Sequence, residues 1–208
     1  MARELVARGA KLETRNGRGK AALHLASSFS LGHSNASSDS RAALVRLLLD
    51  AGAKIEAEDT ERRTPLWCAC ALNQPAAVRD LLARGANVDA RDDGNRTAAI
   101  IASKNGSVAI VRELIAHGAD LDVQSTVGRW SALMNACYQG SLAVASALIE
   151  AGANLALRHS HGTTALGFAE ACVRRDDSDI AFGGAAPSDE EREEHLQLVT
   201  LLEERGAP

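Results

Sequence analysis

The chain has 208 residues, 46% apolar but only 3% aromatic, so a continuous core has to be assembled from Ala, Leu, Val and Ile. A net charge of −4 argues against a nucleic-acid binder, and no stretch is long and apolar enough to span a membrane. Four cysteines and no N-terminal signal peptide point to a reducing compartment, the cytoplasm, with the nucleus left open.

A Gly-Ala pair recurs at Gly9, Gly52, Gly85, Gly118, Gly152 and Gly206, in steps of 43, 33, 33, 34 and 54 residues. The unit is therefore 33 residues, with about 10, 1 and 21 residues inserted in the longer steps. Residues 1–15 hold a partial unit, in which 2–10 read as the second half of a helix ending on the first Gly-Ala. Residues 16–58 carry AALHLA from Ala21, a Ser-rich insertion over 28–40, and LVRLLLDAGA. Residues 59–91 follow with TPLWCA and AVRDLLARGA, residues 92–124 with TAAIIA and IVRELIAHGA, and residues 125–158 with SALMNA and VASALIEAGA. Residues 159–208 close the series with TALGFA, an acidic insertion from about Arg174 to Glu194, and LVTLLEERGA.

Both blocks of each unit have helical spacing, with Val78, Leu81 and Leu82, or Ile110, Val111, Leu114 and Ile115, on one face. Thr64 before Pro65 fits an N-cap followed by proline at the first helical position. The repeated Gly fits a left-handed helix C-terminus. In the acidic insertion, Ser188 and Glu191 have capping-box spacing, and Ile180 and Phe182 suggest a loop that packs back. Glu194, His195, Gln197, Thr200, Glu203 and Glu204 would turn the last helix's outer side to water.

These units resemble ankyrin repeats over nearly the whole chain. The family pattern is a finger-like turn, T-P-L-H-x-A on an inner helix, a short turn, and an outer helix ending in Gly-Ala. The resemblance implies an all-α solenoid of stacked helix-turn-helix units with projecting finger turns, with strand at most in the fingers. Only Leu23-His24 keeps the Leu-His pair and only Pro65 the proline; Trp67, Ile100, Met134 and Gly167 replace His24.

The chemistry of sites is sparse. By the resemblance Cys70 and Cys137 fall at small core positions, Cys68 and Cys70 do not share a helix face, and His159 and His161, in one turn with Cys172 nearby, read as an exposed polar turn rather than a ligand set. No phosphate loop, nucleophile elbow or catalytic carboxylate pair is present, so the expectation is no enzyme, no cofactor and no metal. The resemblance implies a protein-binding scaffold or adaptor. The alternatives are a recognition domain cut from a larger enzyme or channel, which the partial first unit favours, or an unusual enzyme using the insertions.

Carried over from the family, contacts would fall on the finger tips and the exposed inner-helix face: Arg63, Leu72, Arg96, Lys104, Asn105, Trp130, Tyr138, Gln139 and His161. Trp130 and Tyr138, two of three Trp and Tyr residues in the chain, would form an aromatic patch flanked by Arg96, Lys104 and Asn105. The competing reading is that Trp130 folds over its own finger. The fitting partner is a protein or extended peptide with acidic residues, and the chain itself is expected to be a monomer unless its uncapped N-terminal end pairs. Residues 1–104 hold 16 basic against 12 acidic side chains, and 105–208 hold 7 against 15, an asymmetry suited either to steering a partner or to a plain solvated acidic loop.

Overall fold

In the computed structural model, residues 2–28, 38–174 and 188–207 are described, and every regular element among them is a helix. An outer-layer helix α1 (Ala2–Ala7) comes first, followed by five helix pairs. The inner members are α2 (Ala22–Ser28), α4 (Pro65–Ala71), α6 (Ala98–Lys104), α8 (Ala132–Tyr138) and α10 (Ala165–Val173). The outer members are α3 (Ser38–Asp50), α5 (Pro75–Ala83), α7 (Val108–Ala116), α9 (Leu142–Glu150) and α11 (Asp189–Glu204). Inner helices pack on inner helices and outer on outer, while each pair packs within itself, giving two layers. The Ile180–Phe182 expectation, and most of the Ser-rich insertion, lie outside the described residues.

Local chemistry sets the start of α4, α6, α8 and α10 and the end of α3, α5, α7 and α9. Thr64, Thr97, Ser131 and Thr164 are extended, and each hydroxyl accepts from the amide three residues on, at 3.3, 3.5, 3.2 and 3.4 Å. At the outer helix ends, Gly52, Gly85, Gly118 and Gly152 have φ between 76° and 87°. The following Ala amide then donates back five residues to a Leu carbonyl, for example Ala86 to Leu81 at 3.0 Å, so the glycine conformation satisfies a carbonyl that would otherwise end unpaired.

The core runs along the seam between the layers. Leu81, Ile110, Leu114, Leu133 and Leu148 are fully buried, with Ala69, Ala102 and Ala136 as the small residues that let inner helices approach. All four cysteines are buried free thiols. Burial pushes the Cys68 thiol up to about 11 and the Cys137 thiol up to about 12. His195, expected at the water side of α11, is instead buried: it seats on the turn at Gly140, where a Cβ would come within 2.6 Å of its ring. A glycine across the interface makes room that the polarity of α11 does not reveal.

Candidate interaction surface

The fingers are built on one plan. In each, a first residue's amide bonds the carbonyl of a residue four or five further on: Asn16–Lys20, Asp59–Arg63, Asp92–Arg96, Ser125–Trp130 and His159–Thr163. The residue before the last is left-handed in every case (Gly19, Arg62, Asn95, Arg129 and Gly162). Fingers are also tied to each other, since Thr60, Asp93, Thr126 and Ser160 donate their amides to Arg18, Glu61, Gly94 and Gly128 of the preceding unit at 2.8–3.2 Å. Side chains thus leave the fingers at fixed heights along the stack.

At the second and third fingers an acid–arginine pair fixes the shape. The Asp59 carboxylate accepts the Glu61 and Arg63 amides at 2.9 and 3.0 Å and the Arg63 guanidinium at 2.9 Å; Asp92 binds Gly94 and Arg96 in the same way. Burial raises the Asp59 carboxyl's proton affinity, but the amide and guanidinium bonds outweigh it and hold the group below the ordinary 3.8. Trp67 stands between the two arginines, whose guanidinium carbons lie 5.3 and 5.5 Å from its ring centroid. His24, the equivalent residue one unit earlier, instead bonds the Arg63 carbonyl through Nε2 at 3.0 Å. The Ala21 amide donates to its Nδ1, which places the proton on Nε2.

The fourth finger departs from the plan. Its extra residue falls inside the turn, Ser125 replaces the acid, and Trp130 takes the position of Arg63 and Arg96. With no carboxylate to answer, an indole is accommodated. It stacks on Phe168 of the next unit (centroids 4.7 Å apart) and meets Tyr138 and His159 edge-on at 5.5 and 4.8 Å. A Cβ on Gly128 would sit 2.7 Å from Trp130 Nε1, so the ring also lies against its own finger. Trp130 is half-buried and packed on the core, which agrees with the competing reading of a ring folded over its own finger. Tyr138 is 43% exposed.

The other edge of this aromatic cluster opens on a groove of about 580 Å³, lined by Arg96, Ile101, Lys104, Val127, Trp130 and Tyr138 among others. Val127, at the finger, is 81% exposed. Gln139 also lines the groove, and its amide donates to the Lys104 carbonyl at 3.1 Å. Asn105 lies outside it and donates to the Cys70 and Ala71 carbonyls at 3.3 and 3.0 Å. These two amides close the C-terminal turns of neighbouring inner helices. Arg63 is held by Asp59 and Glu61, Leu72 is exposed further along the face, and His161 is exposed beside His159, outside the groove.

Sequence reasoning missed Phe168 and His159 as members of the cluster. The available signal was register: Phe168 holds in its unit the place of Ile101 and Asn135 in theirs. Among the described residues, no group of three or more His, Cys, Asp or Glu is placed to hold a metal ion, and no helix is long and apolar enough to cross a membrane. A family model for ankyrin repeats, in three copies, matches residues 33–125 and 99–178. No curated protein matches the chain.

Proposed function

The chain belongs to the ankyrin-repeat family, and on that premise we propose that it is a non-enzymatic scaffold or adaptor whose groove at Trp130 and Tyr138 holds an extended segment of a partner protein. The observation that carries this reading is the composition of the groove. It joins a half-buried indole, a phenol and two isoleucines to the cations of Arg96 and Lys104. An aliphatic or aromatic side chain would bury against the rings while an adjacent carboxylate meets Lys104, which has no acidic partner among the described residues. The rigid ties between fingers keep the groove formed before a partner arrives, so little ordering of the protein opposes binding.

Four lysines make the test direct. Affinity purification of the full chain with amine cross-linking and mass spectrometry should place partner cross-links on Lys104. Lys11 and Lys54, which follow Gly-Ala turns of the outer layer, should be spared. Cross-links confined to Lys11 and Lys54 would reject the reading.

A further inference from the structure

A second cavity of about 510 Å³ lies on the same face, between the first and second full units, and its wall is the other tryptophan, Trp67. In register, Lys20 and Leu25 hold there the places that Arg96 and Ile101 hold in the groove, and Ala71 and Leu72 those of Tyr138 and Gln139. The two cavities are therefore the same site of the repeat, two units apart. At the level between them Trp67 lies between the Arg63 and Arg96 guanidiniums.

The second cavity is built for an anchor. Leu25 and Leu72 are 37% and 40% exposed, and both line it. The indole Nε1 of Trp67 is buried without an acceptor. Arg18 and Lys20 stand at the rim with no carboxylate partner among the described residues. Exposed leucines beside unpaired cations complement an apolar side chain next to a carboxylate, the chemistry the groove also fits.

We infer that the Trp67 cavity and the Trp130 groove together bind one extended acidic segment of a partner protein, each taking one apolar–acidic anchor of that segment. The inference rests on the proposed function and adds the second anchor and its spacing. Neighbouring inner helices pack at ~8–10 Å, so two units separate the sites by ~16–20 Å. An extended chain advances ~3.3 Å per residue, which sets the anchors about five or six residues apart. Two sites on one strand raise the affinity by effective concentration and fix the direction and register of the bound segment.

The test is selection of a random 16-residue peptide library on the full chain. Selected peptides are then measured by fluorescence anisotropy against wild type, Arg18→Glu/Lys20→Glu and Lys104→Glu/Tyr138→Ala, with circular dichroism as the check on folding. Enriched peptides should carry two apolar–acidic pairs five or six residues apart. Each double variant should weaken them at least ~10-fold, consistent with the loss of one of two linked sites, and Leu72→Ser should act in the same direction. Three residues inserted between the pairs should lower affinity as much as loss of one site. Binders weakened only by Lys104→Glu/Tyr138→Ala would overturn the second anchor and leave the groove standing. Binders unaffected by either double variant, or a library without binders, would overturn both.

Discussion

Asp59 offers the sharpest test of how the fingers are held. Its side chain is fully buried, and it accepts two backbone amides and the Arg63 guanidinium, all at 2.9–3.0 Å. Asp59→Ala removes the acceptor of both amides and the buried carboxylate of Arg63. Breaking a buried ion pair from one side costs ~3–5 kcal/mol, and the low end applies here because Arg63 keeps Glu61 at 3.1 Å and some contact with water. We therefore expect a loss of ~3 kcal/mol. Asp59→Asn retains an oxygen for the two amides and loses the charge, so it should cost ~1–2 kcal/mol. The assay is urea denaturation of wild type, both variants and Arg63→Met, closed into a double-mutant cycle. The folded carboxyl titrates below its ordinary value, so its contribution is complete above that value and is lost as pH falls through the folded one. Wild type should thus lose more stability than Asp59→Asn below about pH 4. Equal effects of Ala and Asn, or both under ~1 kcal/mol, would refute the account of the finger.

Three further outcomes are expected. Ala102→Leu, at a position with no exposed surface between inner helices, should overpack the stack and cost ~1–3 kcal/mol, read by thermal melting; an unchanged melt would contradict the close packing of α6. Gly128→Ala should cost ~2 kcal/mol and red-shift tryptophan emission, because φ is 76° and the new Cβ meets Trp130 and His159; unchanged emission would show that the indole does not rest on this turn. Burial, outweighing the Arg63 carbonyl and Asp59, holds the His24 imidazole below its ordinary 6.5. The fold bears no penalty for this above 6.5 and loses stability as pH falls below 6.5 toward the lowered folded value, so His24→Gln should flatten the stability profile on the acid side of 6.5. A variant with the wild-type slope would place the proton uptake elsewhere.

The frame of the array was legible because it is a backbone property. A Gly that must be left-handed marks the end of each outer helix, and a Thr or Ser that must cap marks four of the five inner helices, Ala21 standing there in the first. Arg63 and Arg96 were legible as finger residues but not as structural partners of Asp59 and Asp92, although the four-residue spacing recurs in phase. Trp130 shows the limit more clearly. Its position said finger, and its environment depends on Phe168 and Gly128, one from the next unit and one from the turn, which periodicity within a single unit cannot join. His195 was misread for the same reason, because the space it fills is created by Gly140 on another repeat. Asn105 and Gln139 were read as contacts for a partner, yet their amides also tie adjacent inner helices to each other.

The claim that the inner face at Tyr138 and Lys104 binds the partner is tested most directly by pairing affinity with stability. Both side chains are exposed, so Tyr138→Ala/Lys104→Glu should leave the melting temperature within a few degrees of wild type. Affinity for the captured partner should fall at least ~10-fold, since aromatic anchors and their flanking charges carry most interface energy. Unchanged affinity in a variant that melts like wild type would contradict the account.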